Sequence, residues 1–171
     1  MRQIVQYALL IAVCCFAAYV AHAADLRAPD HAVAGSEVSL PTSGSGSATL
    51  YVFGPGTAIK KDVQLGDDVQ LPLKRAGRYT AIVNGNAVTF NVAAAAPGDV
   101  AFLARPSRVP ADKPGVIPGT VFIFDQNRNL VTTPTAVKFD LKVEGGQPQS
   151  RDVQSKDGVA YTKLDSGRKA G

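Results

Sequence analysis

The sequence predicts an all-β protein with two consecutive antiparallel β-sandwich units that follow an N-terminal signal helix. Short runs of alternating apolar and polar residues recur along the chain, and Asn-Gly, Asp-Gly and Gly-Pro-Gly turns separate them. The 171 residues include 16 glycines and 11 prolines, a composition that favours turns over helices. A period of two is typical of strands with one buried face, and no stretch after residue 24 keeps a helical period.

The first 23 residues have the pattern of a secretory signal peptide. A basic start is followed by the uncharged apolar run Tyr7–Val20 and by Ala21-His22-Ala23, an Ala-x-Ala cleavage pattern. We expect cleavage after Ala23 and export to the periplasm, the cell surface or the medium. Because the stretch Tyr7–Ala24 has 18 residues, near the minimum length for a bilayer span, an uncleaved membrane anchor is the alternative. Val13 argues against lipidation at Cys14, since a lipoprotein signal has a small residue there.

Composition excludes several kinds of chemistry. Cleavage removes both cysteines, Cys14 and Cys15, so the mature chain has no thiol for a disulfide, a metal site or catalysis. The net charge of +4 is spread along the chain, which does not indicate a nucleic-acid binder. Three basic pairs are interpreted as solvated charges on sheet edges, with attraction to acidic surface polymers as the alternative: Lys60-Lys61, Lys74-Arg75 and Arg168-Lys169.

The first unit is predicted to span residues 24–93. Asn84-Gly85 joins the predicted strands Tyr79–Val83 and Ala87–Val92, and Asn-Gly is the strongest short hairpin signal. Further turns are expected at residues 44–47, 54–56 and 66–68, where glycine combines with serine, proline or aspartate. The residues expected to face the core are Val38, Leu40, Val69, Leu71, Leu73, Val88, Phe90 and Val92.

The second unit is predicted to span residues 99–171, after a linker at 94–98 that follows from the Ala93–Gly98 composition. Its clearest alternating strand carries Val137, Phe139, Leu141 and Val143. Prolines recur at every fourth residue in the preceding segment. Since proline lacks the N–H that a ladder needs, this segment is expected to be an edge strand or a polyproline-like lead-in, not a central strand. These residues are Pro106, Pro110, Pro114 and Pro118.

In its general strand order, the first unit resembles immunoglobulin-like (Ig-like) sandwiches. Tyr79 stands at the start of the penultimate strand, where a tyrosine corner is expected to bond its hydroxyl back to the chain. Ala81 occupies the place of the usual cysteine, and the chain has no tryptophan. The prediction is therefore an Ig-like sandwich without a disulfide.

The second unit resembles the bacterial Ig-like domains of the invasin and intimin type. The resemblance covers about 70 residues and departs from the family pattern at Arg128, which replaces a glycine, and in the short spacing after Asp112. It implies a stalk or adhesive module of an exported bacterial protein, not a chemistry. The matching stretches are residues 106–112, 120–131, 137–139, 157–160 and 169–171.

The second unit is expected to be incomplete at its C-terminal end. In the first unit, Leu73–Gly77 leads into two more strands, whereas the chain stops after the corresponding segment Leu164–Gly171. Two explanations are open: the sequence is the N-terminal piece of a longer protein, or a strand-donating partner or swapped dimer completes the sheet.

None of the candidate metal-binding or catalytic sites has the complete sequence pattern of such a site. Asp125, Asn127 and Asn129 have the spacing of calcium ligands, but the glycine and the glutamate of a calcium loop are missing, and a local Asx-type turn is the preferred interpretation. His31 lies near Asp30 and Ser36 without a nucleophile elbow. Asp67-Asp68 is expected in an exposed turn. No catalytic, cofactor-binding or metal-ligating residue is therefore predicted.

The expected function is an exported, non-catalytic Ig-like structural or adhesion module, the N-terminal part of a larger surface or periplasmic protein. The alternative is an accessory carbohydrate- or peptide-binding module of an exported enzyme that lies beyond residue 171. The expected partner is an unknown protein or surface polymer, not nucleic acid. Contact with a membrane is expected only through an uncleaved signal segment.

Overall fold

The computed structural model describes residues 25–106, 108–143 and 147–168. These ranges contain twelve strands and no helix, so the all-β prediction is confirmed. The predicted signal segment with its two cysteines lies outside the described residues. The strands are β1 Asp25–Leu26, β2 Glu37–Ser43, β3 Ser47–Gly54, β4 Thr57–Gln64, β5 Asp68–Pro72, β6 Gly77–Val83, β7 Asn86–Val92, β8 Asp99–Ala104, β9 Ile117–Phe124, β10 Ala136–Leu141, β11 Gln149–Gln154 and β12 Val159–Leu164.

The first unit is a sandwich of two antiparallel sheets. One sheet has the order β1-β2-β5 and the other the order β4-β3-β6-β7. The predicted alternation is confirmed in β2 and β5, where Val38, Leu40, Val69 and Leu71 are buried and their neighbours are more exposed. Sixteen buried apolar residues of the described chain form this core, and Leu50 and Val52 of β3 are among its fully buried members.

The Asn84-Gly85 hairpin is confirmed. Strands β6 and β7 pair up to Val83 opposite Asn86, so the turn has two residues. Asn84 and Gly85 have φ angles of 47° and 82°, as a type I′ turn requires. The twist of this turn matches that of the flanking strands, which explains why the local sequence alone predicted it.

The tyrosine corner is also confirmed. The Tyr79 hydroxyl donates a hydrogen bond to the carbonyl oxygen of Arg75 at 2.9 Å. Its ring is fully buried and stacks on Phe90 with centroids 5.8 Å apart. Gly54 packs directly on this ring, where a Cβ atom would collide with it. Tyr79 therefore closes the end of the sheet that contains β3, β6 and β7.

The second unit has two smaller antiparallel sheets, with the orders β12-β9-β8 and β10-β11. A tight turn at Asp157-Gly158 precedes β12, and their φ angles of 50° and 82° again fit a two-residue hairpin turn. The described part of this unit buries six apolar core residues: Val121, Ile123, Val131, Phe139, Ala160 and Leu164. The two core clusters share no residue, and the predicted linker 94–98 lies between β7 and β8.

One prediction about the prolines is wrong. Pro118 was expected outside a central strand, but it belongs to β9, which lies between β12 and β8. The physical reason is the register: β8 pairs with β9 only as far as Ala104 opposite Gly119, so Pro118 has Lys163 of β12 as its only strand partner. Proline is tolerated because its ladder position has one neighbour. Pro106, Pro110 and Pro114 lie between β8 and β9, outside both strands.

Candidate functional site at the junction of the two units

The turn that follows β9 is built around one carboxylate. Asp125 Oδ1 accepts hydrogen bonds from the backbone N–H groups of Asn127 at 2.8 Å and Asn129 at 2.9 Å. Such bonds are typical of aspartate in turns, where its side chain replaces a backbone acceptor. Arg128 has a φ of 64°, in the left-handed region that favours glycine. The turn interpretation of this motif is confirmed.

Asp125 is fully buried and remains an acceptor. Its Oδ2 accepts hydrogen bonds from the Asn129 side-chain amide at 2.9 Å and from the Ala95 backbone N–H at 3.0 Å. Burial alone raises the pKa of this carboxyl group, but the hydrogen bonds from Asn129, Ala95 and Asn127 outweigh burial and hold the pKa below its ordinary value. Asp125 is therefore ionised at neutral pH, with its charge spread over four N–H donors.

Asn129 links this turn to the first unit. Its Oδ1 accepts a hydrogen bond from the Ala76 backbone N–H at 2.9 Å, and its Nδ2 donates to the Lys74 carbonyl oxygen at 2.9 Å. Asn129 is 6% exposed, so water has little access to these hydrogen bonds. Within the described residues, no buried side-chain nitrogen or oxygen lacks a hydrogen-bond partner. The junction is thus a satisfied polar network, which is the form in which buried polar groups stabilise one geometry.

The linker is held at both of its ends. Ala93 exchanges two backbone hydrogen bonds of 2.8 Å with the segment Ala32–Ala34 of the first unit. The Ala95 N–H is bound by Asp125, and the Gly98 N–H donates to the Phe124 carbonyl oxygen at 2.9 Å. Ala93, just before the linker, is therefore bonded to the first unit, and Ala95 and Gly98 of the linker are bonded to the second.

A third contact across the junction involves a glycine. Gly35 has a φ of 84° and lies against the side-chain amide of Asn127, at the place where a Cβ atom would sit. Any side chain at position 35 would push this amide away. The close approach of Asn127 to the first unit therefore depends on glycine at position 35.

An open groove of about 880 Å³ lies beside the junction. Arg75 and Arg128 line it, and none of its described lining residues is aromatic. The Arg128 guanidinium donates to Asp99 at 3.0 Å and lies over the Phe124 ring, 5.5 Å from its centroid. Both ends of this ion pair are exposed, so it contributes little to stability.

The donors around Asp125 also bear on the calcium hypothesis. N–H groups are directed at both oxygens of Asp125 and at Oδ1 of Asn129, the atoms that a cation would need as ligands. The described residues contain no group of three or more histidine, cysteine, aspartate or glutamate residues placed to hold a metal ion.

The structure does not bring the other candidate residues together. His31 is exposed, and Ser36 Oγ donates to the Val33 carbonyl oxygen at 2.7 Å instead of to the imidazole. Asp67 and Asp68 are exposed, as expected, and Asp68 accepts a hydrogen bond from Ser39. The basic pair Lys60-Lys61 lies exposed on β4, an outer strand of its sheet, which supports its interpretation as edge charge.

The remaining basic pairs are exposed as far as the structure describes them. Lys74 and Arg75 lie at the surface of the first unit, and Arg168 is exposed, whereas Lys169 lies outside the described residues. Within the described residues, no helix is long and apolar enough to cross a membrane.

Comparison with known proteins found no matching family model, no matching curated protein and no matching solved structure.

Proposed function

We propose that the protein is an exported, non-catalytic structural or adhesion module built from two Ig-like units. The observation that carries this proposal is the junction, where Asn129 binds the backbone of Lys74 and Ala76 while Asp125 binds the linker. Among the described residues, the most extensive buried polar network thus joins the two units. Its oxygen atoms accept hydrogen bonds from backbone N–H groups and from the Asn129 side-chain amide, which suits a mechanical link and not a reaction.

A buried network of this kind supports a fixed orientation between the units. Breaking one member leaves a buried donor or acceptor without a partner, which costs about 1 to 3 kcal/mol per group. A stalk or adhesive module needs such a fixed geometry to present what it carries. The second unit's resemblance to invasin and intimin domains points to the same role, and the signal-like N-terminal segment points to export.

The alternative, an accessory carbohydrate- or peptide-binding module, has weaker support. The groove beside the junction is open, and its described lining lacks the aromatic side chains that provide large contact area for a ligand. The two arginines that line it are exposed, and Arg128 is already paired with Asp99.

Nitrogen-15 relaxation of the purified protein tests the mechanical role. We expect backbone amides of both units to report one common rotational correlation time, and Asn129→Ala to separate the two values. The matched control, Asn91→Ala, removes an exposed asparagine from the same groove and should leave one correlation time. Two independent correlation times in the wild-type protein would contradict the proposal.

Export is tested separately. We expect the protein recovered from outside the cytoplasm of its own cells to begin at Ala24 by N-terminal sequencing. Recovery of the protein only from the cytoplasm with Met1 retained would contradict export, whatever the relaxation data show.

A further inference from the structure

The two outer faces of the first unit differ in chemistry. On the four-stranded sheet, Tyr51 and Phe53 of β3 point outward, because the intervening Val52 is fully buried. Tyr51 is 39% and Phe53 48% exposed, so two aromatic rings lie open to solvent on this side of the unit. On the other sheet, the outward residues of β2 and β5 include carboxylates and no aromatic ring: Glu37, Ser39, Pro41, Ser43, Asp68, Gln70 and Pro72.

The strand register places apolar and hydroxyl-bearing side chains beside these rings. Ile82 of β6 is the partner of Tyr51, and Thr80 of β6 is the partner of Phe53. The Thr80 hydroxyl lies 3.3 Å from the hydroxyl of Thr89, the next residue across on β7. The sheet surface around the rings thus combines apolar area with hydroxyl groups.

A cation lies at each end of this pair of rings. Lys60 of β4 is the partner of Tyr51, and Arg78 lies two residues before Thr80 on β6, beyond Phe53. From the spacing of the strands and the rise per residue, the Cα atoms of the two cations are roughly 17 Å apart. Both side chains are exposed, and neither forms an ion pair with a described residue.

The balance of charge around the rings is positive. Among the outward residues of these four strands, the one carboxylate is that of Asp62 on β4. It accepts a hydrogen bond from the Thr49 hydroxyl at 2.9 Å and lies on the far side of Lys60 from Arg78. The whole chain also carries a net charge of +4, so an anionic ligand is attracted to this side of the first unit.

We propose that the aromatic face, defined by Tyr51, Phe53, Lys60 and Arg78, binds an acidic polysaccharide. The C–H side of a sugar ring packs on an aromatic side chain, while carboxylate or sulfate groups of the polymer bind the two cations. A polymer that crosses the rings from Lys60 to Arg78 makes both kinds of contact. The inference names a target for the adhesion module, and only its biological role rests on the proposed function.

A thin polymer fits the aromatic face better than a folded protein does. The outward residues of the four strands are fewer than the roughly 20 to 30 residues per partner in a stable protein interface. A second copy that presented the same face would bring like charges together, which disfavours pairing. The rings lie on the outer side of a sandwich whose inner sides already form one core, so no further strand would cover them by completing the sandwich.

The test titrates the protein purified from its own cells with polygalacturonate, hyaluronate and heparin, followed by calorimetry. We expect saturable binding to at least one of these acidic polysaccharides, and this binding should weaken as salt is added. Phe53→Ser and Arg78→Gln should each weaken it by about tenfold or more, through loss of a ring and of a charge. Circular dichroism checks that both variants fold.

Each variant has a matched control. Tyr161→Ser removes a 51%-exposed ring from the second unit. Lys61→Gln removes the charge next to Lys60, but Lys61 is the partner of the buried Leu50 and donates to the Gln70 carbonyl oxygen of the opposite sheet. Both controls should therefore change binding by less than about twofold, because neither side chain lies on the aromatic face.

Two further polymers separate the contributions of charge and sugar. Polyglutamate has carboxylates without sugar rings, and carboxyl-reduced polygalacturonate has sugar rings without charges. Both should bind at least about tenfold more weakly than the tightest acidic polysaccharide, because each lacks one of the two kinds of contact.

Three outcomes would overturn the proposal. They are binding to none of the acidic polysaccharides, equal binding of polyglutamate, and equal losses in the face variants and their controls. Sedimentation that shows a wild-type dimer which Phe53→Ser dissociates would also overturn it, since a second copy would then cover the face. Nitrogen-15 relaxation tests the mechanical role independently, so a rigid protein that binds no polysaccharide would refute this inference alone.

Discussion

Asn129 Oδ1 lies 2.9 Å from the backbone nitrogen of Ala76, a residue 53 positions earlier in the chain. The same amide group donates to the Lys74 carbonyl oxygen and to the Asp125 carboxylate. One side chain therefore joins the last turn before Tyr79 in the first unit to the turn after β9 in the second. The relative position of the two units depends on this contact more directly than on apolar packing, because the core clusters share no residue.

Asn129→Ala should destabilise the protein by about 2 to 4 kcal/mol. It removes hydrogen bonds to Ala76, Lys74 and Asp125 and leaves their groups partly buried without partners. Urea unfolding followed by circular dichroism measures the loss. Asn91→Ala, which removes an exposed asparagine, should stay within about 0.5 kcal/mol of wild type. Equal stabilities for the two variants would show that the junction bonds contribute nothing.

Asp125→Asn should cost about 2 to 3 kcal/mol at pH 7 and less in acid. Its pKa is lowered in the folded state, so the charged form adds stability above the ordinary value of 3.8, and this is lost as the pH falls through the lower folded pKa. Asparagine also turns one acceptor into a donor that faces the N–H of Ala95 or Asn129. Unfolding at pH 7 and near pH 3 should show the gap between variant and wild type narrowing.

Asp140→Asn is the control for this pH effect. Asp140 is exposed and lies 3.8 Å from Lys138, an ion pair that contributes about 0 to 1 kcal/mol. Its replacement should change stability by less than about 1 kcal/mol. A constant difference between Asp125→Asn and wild type across both pH values would contradict the lowered pKa.

Local signals account for what the sequence could predict. Asn84-Gly85 encodes its own turn, Tyr79 bonds a residue four positions away, and Asp125 caps the turn that contains Asn127. Each depends on neighbours in the chain. The alternation of apolar and polar residues likewise predicted the buried faces of β2 and β5, because each of these strands has one face exposed to solvent.

The contacts that the sequence did not predict join residues that are far apart in the chain. The spacing of Asp125, Asn127 and Asn129 predicted a turn, but nothing near Asn129 indicates that its amide binds Lys74 and Ala76. Strand β8 was not predicted either, since Val100–Ala104 is apolar without alternation. The prediction for Pro118 was wrong because β9 can contain a proline there only since β8 ends before it. The residue at which β8 ends is set by the strand register, which no local sequence pattern contains.

Tyr79→Phe should destabilise the protein by about 1 kcal/mol through loss of the bond to Arg75. Burial raises the Tyr79 pKa above its ordinary value of 10.0, against the smaller opposite effect of that hydrogen bond. The neutral phenol therefore contributes stability that is present below pH 10 and is lost as the pH rises above it. Unfolding measured from pH 8 to 11 should show a shallower alkaline decline in Tyr79→Phe.

Tyr51→Phe is the control for the corner. Tyr51 lies on β3 and is 39% exposed, so removal of its hydroxyl should change stability by less than about 0.5 kcal/mol. If both variants lose the same stability and the same alkaline slope, the corner bond is not the cause.

The last prediction tests why β9 can contain a proline. Thr120 has a paired strand on each side, with Leu103 of β8 on one side and Tyr161 of β12 on the other. Whichever side its N–H faces, it therefore points at a neighbouring strand. Thr120→Pro should therefore lose a ladder hydrogen bond and cost about 2 kcal/mol or more. Pro118→Ala, two residues earlier on the same face, should cost less than about 1 kcal/mol because β8 has already ended there. Thermal unfolding of both variants measures the contrast, and similar losses would show that position in the ladder does not decide where β9 accepts proline.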